Sequence, residues 1–122
     1  MERPRVLLVE DDRIFRGFLI EYIEEAKGRP LVYPNSIEAL AHIRREDPYH
    51  LALSDLSFPN GPGGYILARA SKDLHPDVPF WLMSSYALIQ EGMADRSFSK
   101  ENTDQILGPA LIRKIQQLRS KL

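Results

Sequence analysis

Two short apolar runs in this chain end in carboxylates. Val6-Leu7-Leu8-Val9 leads into Glu10-Asp11-Asp12, and Leu51-Ala52-Leu53-Ser54 leads into Asp55. If both runs are strands of one parallel sheet, their C-terminal ends bring these acids to one edge. Crowded carboxylates repel, so such a site favours a divalent cation. Glu10, Asp11 and Asp55 offer hard oxygen ligands, and magnesium suits them because it takes one or two carboxylates and keeps waters for phosphate oxygens. The ion would keep Asp55 ionised. An ionised carboxylate can attack phosphorus and form an acyl phosphate. The phosphoryl oxygens then need partners: the metal, the Ser84 hydroxyl and the Lys100 ammonium. Such a constellation works by positioning and by neutralising charge.

Taken singly, each residue has a plainer use. Asp12 caps a helix, Asp55 opens a turn, Ser84 ends a strand, and Lys100 is a surface lysine. The joint order of acid, acid, hydroxyl and ammonium at four strand ends is what points to a site. No GxGxxG, P-loop or HExxH pattern is present. His42, His50 and His75 are scattered along the chain and are not read as metal ligands.

The elements that must hold these residues follow from periodicity. Val6–Val9, Leu31–Tyr33, Leu51–Ser54, Pro79–Met83 and Ser97–Ser99 read as strands. Helical spacing of Ile14, Phe15, Phe18, Leu19, Tyr22, Ile23 and Ala26 predicts a first helix, capped by Asp12 and stopped by Gly28 and Pro30. Asn35 or Ser36 caps a second helix containing Ile37, Leu40, Ala41 and Ile43. Gly63-Gly64 starts a third, with Ile66, Leu67, Ala70 and Leu74, closed by His75-Pro76-Asp77. Tyr86–Ile89 allows a turn or two of helix before Gly92. Pro109 suits the first position of a last helix, striped by Leu111, Ile112, Ile115, Leu118 and Leu122. Strands alternating with helices predict an α/β fold, a doubly wound parallel sheet with right-handed crossovers and helices on both faces. Sites in such sheets form beyond the strands' C-terminal ends, at a topological switch point.

Size and composition set bounds. The 122 residues fit one domain spanning 1–122. With 16 basic and 17 acidic side chains the net charge is −1, which gives no electrostatic case for nucleic acid. The chain has no cysteine, so disulfides and thiolate chemistry are excluded. No signal-peptide pattern opens it and no apolar run reaches the roughly 20 residues of a membrane span. A cytoplasmic location without membrane contact is the expectation.

These motifs together resemble the receiver domain of two-component response regulators, and the resemblance covers essentially the whole chain. Val6–Asp12 is similar to the first strand and acidic pair of that family. Asp55-Leu56-Ser57-Phe58-Pro59 is similar to the phosphoacceptor and its turn, and Gly63 falls where the family keeps a glycine. Val78–Ser85 is similar to the fourth strand with its hydroxyl residue, and Phe98-Ser99-Lys100 to the fifth strand and its lysine. The resemblance implies a chemotaxis-Y-like, flavodoxin-like five-stranded sheet in the order 2-1-3-4-5. It implies that Asp55 takes a phosphoryl group from a histidine kinase or phosphotransfer protein with Mg2+. Asp11 and Asp55 would bind the metal with the backbone carbonyl of Ser57, Glu10 would act through water, and Ser84 and Lys100 would contact the phosphoryl group. It implies a bacterial signalling domain rather than an enzyme, catalysing at most its own phosphoryl transfer and dephosphorylation and acting through contact with a downstream protein.

Four departures fall in the second half. The position three residues before the lysine, usually aromatic, is Ser97. The residue after the lysine, usually proline, is Glu101. The segment from Ser84 to Lys100 is shorter than usual by about six residues, over one turn at about 1.5 Å per residue, so the fourth helix is expected to be shortened. Gly108-Pro109 reads as an insertion before the last helix. These departures motivate an alternative reading, a phosphorylation-independent pseudo-receiver acting as a protein-interaction module. An aspartyl-phosphate phosphatase is a third reading, disfavoured because Ser57 stands where an acid/base would be needed. The apolar stripe of the last helix, partly freed by a shortened neighbour, suggests a homodimer, possible on phosphorylation.

Overall fold

The computed structural model describes residues 2–85 and 92–122. Five strands, β1 (Arg5–Val9), β2 (Arg29–Tyr33), β3 (Leu51–Asp55), β4 (Phe80–Ser84) and β5 (Arg96–Ser99), form one parallel sheet in the order β2-β1-β3-β4-β5. Among the described residues four helices accompany them: α1 (Arg13–Glu25), α2 (Ser36–Arg44), α3 (Gly64–Leu74) and α4 (Leu107–Arg119). The expected doubly wound α/β sheet is therefore present. The chain winds one way from β1 to β2 and the other way from β1 to β3, so the switch point lies between β1 and β3.

Alternation along the strands sorts the core into two layers. Val6, Leu8, Leu51, Leu53, Trp81, Met83 and Phe98 face α1 and α4, meeting Leu19, Ile23, Leu111 and Ile115. Leu7, Val9, Ala52, Phe80 and Leu82 face α2 and α3, meeting Ala39, Ile43, Leu67 and Ala68. The central strands are apolar on both sides because both faces are covered.

Several local expectations need correction. Pro30 does not stop α1 but sits within β2, paired with Val6; β2 is an edge strand, where a missing N–H is tolerated. The left-handed residue after α1 is Lys27, with φ 69°, rather than Gly28. The Lys27 and Gly28 N–H groups return to the carbonyls of Glu24 and Ile23, a Schellman closure. Gly108 and Pro109 lie inside the first turn of α4, which begins at Leu107. A proline is tolerated there because first-turn N–H groups have no intrahelical acceptor. A Cβ on Gly108 would stand 2.5 Å from the Tyr22 ring, so this glycine lets α4 close on α1. The expected helix at Tyr86–Ile89, and with it the shortened fourth helix, lies outside the described residues.

The β4–β5 crossover spans residues 85–95, short against the dozen or more residues that parallel connections usually take. Asp95 pins its far end. The Asp95 N–H donates to the Phe80 carbonyl at 3.0 Å, and its carboxylate accepts from the Phe80 N–H at 2.6 Å and pairs with Lys72 of α3 at 2.5 Å. The Asp95 carboxyl is also desolvated, yet Lys72 and the Phe80 N–H prevail and hold it below its ordinary range. Among the described residues no helix is long and apolar enough to cross a membrane.

Candidate functional site

The site grows from the ends of β1, β3, β4 and β5. Past Val9, the Glu10 N–H still donates to the Tyr33 carbonyl at 3.1 Å, so the β1–β2 ladder carries Glu10 inward. Its side chain is fully buried. Asp11 turns out to solvent, and Asp12 caps α1 by accepting from the N–H groups of Ile14 and Phe15. The Arg16 guanidinium reaches back from α1 and donates to the carbonyls of Glu10 at 3.1 Å and Asp11 at 3.4 Å. These bonds hold the acidic turn from beneath.

Asp55 is the last residue of β3 and is 5% exposed. The turn after it is built on close backbone approach. The Leu56 N–H donates to Met83 O, and Leu56 O receives the Gly64 N–H at 2.8 Å. A Cβ on Gly64 would lie 2.3 Å from the Asp55 carbonyl oxygen, whereas one on Gly63 would lie 3.3 Å from Leu56 O. Gly64, rather than Gly63, is thus the glycine this turn requires. Ser57 lies exposed two residues beyond Asp55.

Ser84 ends β4, and its carbonyl accepts the Lys100 N–H at 3.0 Å. The Lys100 carbonyl accepts from the Thr103 hydroxyl at 2.7 Å. With its backbone fixed on both sides, Lys100 extends across the sheet edge. Its ammonium lies 2.6 Å from Glu10 Oε1, 2.5 Å from Asp55 Oδ1 and 4.8 Å from the centroid of the Phe15 ring.

The charge balance of this cluster is uneven. Two buried carboxyl groups share one ammonium. Burial, followed by the neighbouring Glu10 carboxyl, pushes the Asp55 carboxyl up to about 8, against the pull of Lys100. For Lys100, burial would lower the ammonium's pKa, but the bonds to Asp55 and Glu10 prevail and raise it. Ligand oxygens of Glu10, Asp11 and Asp55 come within 4.8 Å of one another. Three hard oxygen donors at this spacing could hold a divalent cation. A divalent cation would also supply the positive charge that the buried pair of carboxyls lacks.

The sequence-predicted residues Glu10, Asp11, Asp55, Ser84 and Lys100 therefore meet at one edge. The sequence marks Phe15 only as an apolar position of a helix and does not single out Arg16. Their signal was position: each follows the acidic turn by about one helical turn, close enough to face back onto it. The histidines, scattered in sequence, are partly gathered in space. The His42 ring lies 5.3 Å from that of Tyr33 and 5.9 Å from that of Tyr49, and the His75 ring lies 4.8 Å from that of Tyr49, tilted by 53°. They serve packing between β2, α2 and α3 and stand away from the acids.

A doubly wound sheet in this order, with Glu10 and Asp55 at the switch point and Lys100 bridging them, defines an α/β protein with its candidate site where such folds bind ligands. A response regulator receiver protein, CpdR of Brucella abortus (strain 2308), is 31% identical over 85 residues, covering 70% of this chain and 69% of that protein. The chain belongs to the response-regulator receiver family of two-component systems. Solved structures agree in fold. A response regulator receiver protein from Sinorhizobium medicae WSM419 matches with a TM-score of 0.84 at 19% identity, covering 97% of this chain and 98% of that one. A CheY-like receiver domain protein from Methanospirillum hungatei JF-1 matches with a TM-score of 0.81 at 20% identity, covering 99% of this chain and 100% of that one. No protein-family model matches the chain.

Proposed function

We propose that this chain receives a phosphoryl group on Asp55 from the phosphohistidine of a histidine kinase or phosphotransfer protein. The observation that carries the reading is the Lys100 ammonium bonded at once to Glu10 and Asp55 in a buried sheet edge. An Asp55 oxygen attacks phosphorus, the bond from phosphorus to the donor nitrogen breaks, and that nitrogen leaves with the electron pair. Lys100 then turns from the neutralised carboxylate to an oxygen of the incoming anionic phosphoryl group, and the Ser84 hydroxyl contacts a second. Magnesium, when bound, supplies the remaining charge neutralisation. Asp11, Asp55 and the Ser57 carbonyl would hold it directly, and Glu10 through water. Output is by contact with a downstream protein, without nucleic acid or membrane contact through this domain, and a phosphorylation-dependent homodimer belongs to the same reading.

Incubation with magnesium and acetyl phosphate, read by intact mass, tests this. One added phosphoryl group on the parent and none on Asp55→Asn is the expected result. An unmodified parent with acetyl phosphate, with beryllofluoride and with phosphohistidine donors would refute it and favour a constitutive interaction module.

A further inference from the structure

We infer that Phe15 is a positioning residue for Lys100, an aromatic platform that holds the ammonium while its anionic partner changes; the inference rests on the phosphoacceptor reading of Asp55. Phe15 is in the first turn of α1, where its N–H is tied to the Asp12 carboxylate at 3.3 Å. One side of the ring packs against the core beneath α1 and α4. The Lys100 ammonium stands 4.8 Å from the ring centroid, within the distance at which a ring's negative face attracts a cation. Glu10 and Asp55 contact the same ammonium at 2.6 and 2.5 Å, so the ring is its third neighbour beside the two carboxyl groups.

The arrangement matters because the two carboxyl contacts are unequal in permanence. When an Asp55 oxygen bonds to phosphorus, the carboxylate charge is consumed in the new bond as the donor nitrogen takes the electron pair, and the negative oxygens the phosphoryl group brings with it lie farther out. Lys100 must then move its ammonium by swinging the stem. A hydrogen bond to a carboxylate oxygen is directional and resists such a swing. Attraction to an aromatic face depends on staying over the ring, so the ammonium can turn while remaining held. Neither Glu10 nor Phe15 loses its charge or its ring face when Asp55 bonds to phosphorus, so without the ring the ammonium must be repositioned at a cost borne in the transfer step. The backbone anchors of Lys100, at Ser84 and Thr103, leave its stem free to move.

The test compares Phe15→Leu, which removes the π face, with Phe15→Tyr, which keeps it. Two readouts are used with acetyl phosphate as the donor. The first is the rate of phosphoryl incorporation at fixed magnesium, with the melting temperature measured alongside. The second is the NMR shift of the Lys100 ε-methylene protons, which a ring at this distance moves upfield. The Leu variant should lose the upfield shift and incorporate phosphoryl about two- to thirtyfold more slowly, the range that a cation–ring attraction implies. The Tyr variant should keep the shift and stay within about twofold of the parent. A Leu variant that phosphorylates at the parent rate overturns the inference and leaves the reading of Asp55 standing. Equal slowing in both variants, following loss of melting temperature, also overturns it, because the role is then structural. A parent that takes no phosphoryl group overturns the reading of Asp55 and this inference with it.

Discussion

Adjacent glycines in the turn after Asp55 make a controlled experiment. Gly64 opens α3, and an added Cβ would meet the Asp55 carbonyl oxygen at 2.3 Å, Leu82 Cδ2 at 2.8 Å and Leu56 Cα at 3.0 Å. Ordinary contact begins near 3.4 Å, so Gly64→Ala asks for a displacement of roughly an ångström. Two of the three neighbours are backbone atoms within the turn that presents Asp55, and they cannot rotate away. Overpacking of this kind costs about 1–3 kcal/mol and sometimes more. Alanine's better helix propensity returns at most about 1 kcal/mol. From the middle of that cost, about 2 kcal/mol, a net loss of about 1–2 kcal/mol remains, or about 4–8 °C in melting temperature for a chain of this length. Gly63→Ala differs in kind. Gly63 has φ −78° and ψ 172°, which any residue adopts, and its Cβ would meet Leu56 O at 3.3 Å. There the lower entropy of the unfolded chain, worth about 0.4–1 kcal/mol, is set against alanine's poor capping, and the variant should stay within about 1 kcal/mol of the parent. Urea unfolding of both variants, with unchanged slope, measures the difference. Equal stability of the two would refute the claim that Gly64 is held by the Asp55 backbone.

Two further predictions concern charge. Because burial and Glu10 raise the folded-state pKa of Asp55 above its unfolded value, the metal-free folded protein binds the extra proton between those values. Its stability should fall as pH rises from about 4 to about 8, and Asp55→Asn should flatten that fall and stabilise the metal-free protein at pH 8 by about 1 kcal/mol or more; a parallel pH dependence in parent and variant would contradict it. Asp95 has the opposite sign: its lowered pKa adds stability above the unfolded value, lost as pH falls through the folded one. Asp95→Ala should cost about 1–2 kcal/mol at pH 7, discounted for its partial exposure, and much less at pH 2, as measured by urea unfolding.

The alternation of strands and helices was legible because the relevant signals are local, while the sheet order was implied by the family resemblance. Short branched runs ended in chemically distinct residues, and Asp12 and Asn35 marked helix starts that the structure confirms through their side-chain bonds. What was not legible depends on contact between distant segments. Gly108 reads as a break until Tyr22 of α1 is seen to need its missing Cβ. Pro30 reads as a helix stop until β2 is known to be an edge. Phe15 reads as one more apolar position because the lysine it faces lies on β5, at the far end of the chain. Each miss is a case in which tertiary packing decided between two locally acceptable readings.

Trp81 gives the molecule a built-in optical reporter. It is the chain's one tryptophan and is only 3% exposed. It pairs with Arg96 in the β4–β5 ladder, its ring lies 5.0 Å from that of Phe98, and the Arg96 guanidinium sits 5.3 Å above it. All of its aromatic and cationic neighbours in this group come from the edge strand whose far end carries Lys100. The indole's emission is therefore a natural gauge of how firmly that strand is seated, readable in the native sequence without any attached dye.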